Sequence, residues 1–220
     1  RDDRVAAPDT RPWRETIRGL GYQEVLNLTI ADDRVLSALG RSVDEHVAVL
    51  NPMSPEFSHL RTDLYAGLLA NLKHNLEHLR GVPLKLWEYG RVFRKPSTPG
   101  APSEEQRHVG FIATGPVESS NWTTPARPFD FQDLSGDLAE YLSFLGLAVR
   151  IEACDDGGYS PLARGRLHAS GLAIGRIGRV RDEDLRALGV RAEAVYYAEL
   201  ELGLVEETRG RDPREKRFIP

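Results

Sequence analysis

The stretch LKHNLEHL, Leu72 to Leu79, places His74, Glu77 and His78 in the order His-x-x-Glu-His. Positions three and four apart on a helix share a face, so two imidazoles there would hold a zinc ion while the carboxylate serves as general base. That is the arrangement of one class of zinc-dependent hydrolase. Such a site also needs a third protein ligand and an open position for water. The other histidines, His46, His59, His108 and His168, stand in no recognisable partner motif. The string also falls on the longest apolar stripe of the chain, where His74 and His78 read as rim residues beside a packing seam. Glu77 follows Lys73 by one turn, an ordinary ion pair in its less favourable orientation. Short motifs match by accident often enough that the residues alone assign no metal, no cofactor and no catalytic group.

That stripe belongs to the strongest helical signal in the sequence. Leu64, Leu68, Leu72, Leu76 and Leu79 recur at helical spacing, Leu69 widens the face, Thr62 is placed to cap the start, and Gly81 with Pro83 ends it. Ahead of it, RDDRVAAPDTRP (residues 1–12) reads as a linker into a helix near Trp13 to Leu20. The segments QEVLNLTI and HVAVLNP read as strands around a short helix ending at Gly40. After it, LKLWEYGRVFR reads as two short strands around Gly90, KPSTPGAPSEEQ as a loop tip, and RHVGFIATG as a strand. A helix from about Asp130 to Leu145 carries Phe131, Leu134, Leu138, Leu142 and Leu145. Asp133 and Asp137 lie in its first turns, where a solvated face is the expected role. The last third alternates the strands AVRIEA, RLHASG, LAIGRIGRV and AVYYAELEL with one short helix, DEDLRALG. The order predicts an α+β fold, an antiparallel sheet with helices packed on it. The domain is expected over 13–205, with 206–220 a linker towards a following domain.

Bulk properties narrow the function classes. Twenty-nine basic residues against 33 acidic ones leave a net charge of −4, which is no general nucleic-acid footprint. A single cysteine, Cys154, excludes a disulfide framework and a cysteine knuckle, and favours a reducing compartment. In that setting the acceptor pattern Asn121-Trp122-Thr123 has no glycosylation role. No apolar run approaches the roughly 18 residues of a membrane span. The chain opens on Arg1 and stops at FIP, as a piece of a longer polypeptide would.

A series of ordered blocks carries a family resemblance. GLGYQEVLNLTI (19–30) is followed by LNPMSPEFSHLRTDLYAGLLANLKHNL (50–76), LWEYGRVFR (86–94), RHVGFIATG (107–115) and DFQDLSGDLAEYLSFLGL (130–147). GLAIGRIGRV (171–180) and VYYAELEL (195–202) complete it. The series resembles the catalytic-like, class II synthetase-like domain of the phenylalanyl-tRNA synthetase beta subunit, over most of the chain. The resemblance implies an antiparallel sheet flanked by helices that does not itself catalyse. It implies packing on a catalytic alpha subunit in an (αβ)₂ assembly in the cytoplasm, charging tRNA(Phe) with ATP and magnesium. No cofactor is expected on this domain. The leucine helix is then the counterpart of the class II dimerisation element, with Arg61, Leu64, Leu68, Leu72 and Leu76 expected at the subunit interface.

The same resemblance implies a degenerate active site. In catalytic class II domains the second motif runs Phe-Arg-x-Glu, the Arg binding the ATP α-phosphate and the Glu holding the adenine. Here Arg91, Phe93 and Arg94 occupy the motif, but Lys95 and Pro96 follow and the Glu is missing. The third motif's Gly-x-Gly-x-Gly-x-x-Arg has no counterpart; GRIGRV (175–180) lacks the spacing of a phosphate cradle. Ser160 and Arg181-Asp182 also stand where family members carry histidine motifs, the mark of a divergent member. Two rival readings follow: a free-standing synthetase paralogue acting as a binding module, and the zinc hydrolase built on His74, Glu77 and His78.

Overall fold

The computed structural model describes residues 11–211, except 53, 80, 97, 99–100 and 119–125. Residues 1–10 of the linker expected at 1–12, residues 212–220 of the linker expected at 206–220, and the Asn121 pattern lie outside the described residues. Helices are α1 (Arg11–Gly19), α2 (Asp33–Ala38), α3 (Tyr65–His78), α4 (Phe131–Phe144), α5 (Asp182–Leu188) and α6 (Leu202–Arg211). Strands are β1 (Gln23–Glu24), β2 (Ile30–Ala31), β3 (Val47–Ala48), β4 (His59–Leu60), β5 (Leu84–Arg94), β6 (Glu104–Thr114), β7 (Val149–Ala153), β8 (Arg164–Ala169), β9 (Leu172–Arg179) and β10 (Val195–Glu201).

The fold is α+β. One sheet runs β1-β5-β6-β10-β9-β8-β7 and a small one runs β2-β4-β3. The large sheet is antiparallel except where β1 lies parallel to β5. Its central strands are apolar on both faces, because helices cover both. On one side Leu64, the N-cap of α3, and Leu68, Leu69 and Leu72 within it meet Leu86, Ile112 and Tyr197. On the other, Ile17 of α1, Leu134, Leu138 and Tyr141 of α4 and Val205 of α6 meet Val109, Phe111 and Leu200.

Local chemistry sets the helix boundaries. Asp130 Oδ1 accepts from the backbone N–H of Gln132 (2.8 Å) and Asp133 (3.1 Å), and Asp133 Oδ2 accepts from the N–H of Asp130 (2.9 Å). This capping box starts α4 where the sequence predicts. Asp137 is not solvated: Tyr22 Oη (2.9 Å) and Lys85 Nζ (2.8 Å) donate to it, tying α4 to β5. Thr62 does not cap α3. Asp63 Oδ1 accepts from Tyr65 N (3.1 Å) and Glu199 Oε1 from Leu64 N (3.2 Å).

Three expectations about elements are corrected. QEVLNLTI is not one strand; only its two ends pair, because its middle is bound by side chains described below. LKLWEYGRVFR is one eleven-residue strand. Gly90 does not break it: a Cβ there would overlap Arg61 Nη2, so glycine makes room for a guanidinium. The fold also continues past residue 205 through α6, whose Val205 and Thr208 are buried.

Candidate partner interface

After β1 the chain leaves the sheet edge and is held by hydrogen bonds that no ladder supplies. Val25 N donates to Trp87 O (2.9 Å), and Arg61 N donates to Thr29 O (2.9 Å). Between them Asn27 donates to Glu88 through Nδ2 (2.7 Å to Oε2) and its backbone N (3.3 Å to Oε1), while its Oδ1 accepts from Asn71 Nδ2 (2.6 Å). Arg61 Nη1 donates to Glu88 Oε1 (2.6 Å), and its Nε to Arg91 O (2.9 Å). Glu88 is 1 % exposed and Arg61 8 %. A carboxylate that deep is stable only when paired and hydrogen-bonded, and these groups do both.

The network fixes which side chains of the segment face water. Leu26 is 82 % exposed and Leu28 73 %. Leu28 borders a groove of about 220 Å³, walled by Val35 of α2, Phe57, and Ala66 and Ala70 of α3. Small residues keep that stretch of α3 low. At Gly67 an added Cβ would sit 3.1 Å from Asn27 Cγ, so glycine lets the amide lie against the helix. Leu50, 96 % exposed, follows β3 near the other end of the small sheet.

The sequence places the interface on the leucines of the long helix, and the structure leaves three of them no free surface. Leu64, Leu68 and Leu72 have no exposed surface and pack on this chain's own sheet. The approach is close because Gly110 lacks a Cβ, which would lie 2.8 Å from Leu68 Cδ1. Leu76 is partly buried in the same cluster, and Arg61 is committed to Glu88. A helix pattern reports an apolar face, not whose surface covers it. The outer row of α3 holds Ala66, Ala70, His74 and His78, and both histidines are exposed to solvent. Lys73 pairs with no carboxylate among the described residues; its ammonium lies beside Gly189.

The degenerate motif residues lie at the end of β5. Arg91 pairs with Glu105 at 3.2 Å, Phe93 is half-buried, and Arg94 is exposed at the rim of a polar cleft of about 210 Å³ that includes His108, Arg176 and Glu199. GRIGRV lies within and just after β9. A Cβ at Gly175 would overlap the backbone of β10, and one at Gly178 the ring of Tyr159, so these glycines serve packing.

Glu199 is buried on β10 and accepts from Tyr197 Oη (2.5 Å), while His108 Nδ1 lies 2.6 Å from its Oε1. Burial pushes its carboxyl up, but the hydrogen bonds from His108 and Tyr197, with the Arg176 charge, outweigh this and hold it below the usual value. A lowered folded value contributes stability above the unfolded glutamate pKa of about 4.3, and that stability is lost as pH falls through the folded value. The melting temperature is therefore expected to fall on acidification below about pH 4.3, and Glu199→Gln to flatten part of that fall. Thermal melts of both proteins across pH 3–7 check it; equal slopes would remove Glu199 from the account.

The family model described as the phenylalanyl tRNA synthetase beta chain CLM domain matches residues 7–202. A phenylalanine–tRNA ligase beta subunit of Nitratidesulfovibrio vulgaris is 29 % identical over 212 residues, covering 93 % of this chain and 26 % of the relative. One from Xanthomonas axonopodis pv. citri is 29 % identical over 220 residues, covering 98 % and 28 %. One from Synechococcus sp. is 31 % identical over 204 residues, covering 88 % and 23 %. The chain thus spans about a quarter of the length of the relatives it matches.

Proposed function

We propose a function from one premise: the chain belongs to the family of the phenylalanyl-tRNA synthetase beta chain CLM domain. In that reading it is the synthetase-like, non-catalytic part of a phenylalanine–tRNA ligase, and it docks on a catalytic alpha subunit in an (αβ)₂ assembly. The partner handles phenylalanine, ATP and magnesium and joins the amino acid to tRNA(Phe). This chain supplies rigid surface, and the assembly works in the cytoplasm. No helix among the described residues is long and apolar enough to cross a membrane.

The observation that carries the reading is the pair Leu26 and Leu28, two exposed leucines on a segment pinned by the buried Arg61–Glu88 ion pair. Exposed apolar surface on a well-held backbone marks a contact site. A silent active site is supported by Lys95-Pro96 after Arg94 and by the packing role of Gly175 and Gly178. The docking face is thus taken to be Leu26, Leu28 and the outer row of α3 in place of the buried leucines.

The test is size-exclusion chromatography with light scattering on the chain, alone and mixed with the alpha subunit of the same organism. A shared peak at the mass of a complex is the expected result. Separate peaks at micromolar concentrations would overturn the docking reading and favour the free-standing paralogue.

A further inference from the structure

We propose that the last turn of α3 carries a site for one divalent transition-metal ion of the zinc class, held by His74, Glu77 and His78. The ligating atoms of the three side chains lie within 4.8 Å of one another, and all three residues are exposed. The imidazole rings sit edge to face, 5.1 Å between centroids at 70°. Their placement follows from residues at i, i+3 and i+4, which form one triangular patch on a helix. Among the described residues none of the three side chains makes a hydrogen bond or ion pair, so no existing side-chain partner has to be displaced. Small rotations of exposed side chains bring the atoms to bonding distances of about 2.0–2.2 Å.

Donor chemistry selects the ion. Two imidazoles and one carboxylate suit zinc, cobalt or nickel, whereas magnesium and calcium take oxygen ligands. Position adds attraction: the patch closes a fourteen-residue helix, whose unpaired carbonyls present the negative end of the helix dipole. The sequence withholds a metal here because no third ligand is visible outside the motif. The geometry supplies one inside it, with Glu77 as a ligand and not as a base. The patch therefore binds metal without being a hydrolase, and one coordination position stays open to water or to a donor from a docked protein.

Titration of the purified chain with cobalt(II), followed by visible absorption, tests the site. The expected result is saturation at one ion per chain and displacement by zinc. His74→Ala and His78→Ala should each weaken binding on the order of tenfold or more, and Glu77→Gln should both weaken it and change the spectrum. Circular dichroism should stay unchanged, since all three side chains are exposed. A titration that does not saturate, or one that the double variant His74→Ala/His78→Ala leaves intact, would overturn the site. A Glu77→Gln variant with unchanged affinity and spectrum would remove Glu77 from the ligand set and with it the three-ligand proposal.

Discussion

Arg61→Ala is expected to destabilise the fold by about 3–5 kcal/mol, a large share of the roughly 5–15 kcal/mol by which domains are stable. The guanidinium donates to Glu88 at 2.6 Å in a place where the carboxylate has 1 % of its surface exposed. Removing it leaves a buried charge with only Asn27 donating to it. Water could not repair the loss without opening the contact between α3 and β5. Gly90→Ala should act in the same direction by a different route, because its new Cβ would occupy the space of Arg61 Nη2. Urea unfolding distinguishes this from a change of compactness: the midpoint should drop while the slope stays the same. Replacing both partners by apolar residues of similar volume should cost far less than either single change. A loss under about 1 kcal/mol for Arg61→Ala would mean the pair is too well hydrated to be the anchor.

Substituting Leu26 and Leu28 together by Asp is expected to abolish docking on the alpha subunit and to leave the melting temperature within a few degrees of wild type. Both side chains already face water, so little packing is lost in the free chain. In a complex each would be worth about 1.5–3 kcal/mol of apolar burial, and the introduced carboxylates would add a desolvation penalty. At 1.4 kcal/mol per tenfold, affinity should drop by about two orders of magnitude or more. Light scattering of the mixed subunits reads the mass of the complex, and calorimetric titration reads the affinity. Leu68→Asp makes the instructive contrast. That side chain has no exposed surface and rests on Gly110, so the substitution should unfold the chain before any question of partners arises. An intact complex with Asp at both 26 and 28 would place the docking face elsewhere.

Much of the architecture is legible in the residues. The α4 stripe and the Asp-x-x-Asp start give both the helix and its cap, and the apolar runs of β6 and β10 give strands buried on both faces. What is not legible is non-local. QEVLNLTI has strand-like composition, yet its middle is bound by Glu88, sixty-one residues after Asn27, and no local pattern reports that. The leucines of α3 announce an apolar face, but whether a sheet of the same chain or another protein covers it depends on the fold. A signal for the outer face did exist. Ala66, Gly67 and Ala70 lie on the side of α3 away from the leucines, and small residues there mark a place where something lies close. The HxxEH string borders the leucine seam in sequence, and periodicity alone does not report that His74 and His78 are exposed.

The pairing of β6 with β10 has a consequence for synthesis. Thr114 faces Val195 and His108 faces Glu201, so the middle of the large sheet joins residues far apart in the chain. On the ribosome, α3 and the β5–β6 hairpin emerge well before β10, with Val109 and Phe111 on a strand whose second edge has no neighbour until β10 is made. An unpaired edge flanked by apolar side chains is a template for association with other chains. β10 is the last strand in the sequence of described elements, and it joins the β1–β5–β6 half to the β9–β8–β7 half. Translation stopped before residue 195 would leave two half-sheets with open inner edges, whereas a few more residues beyond it close both at once.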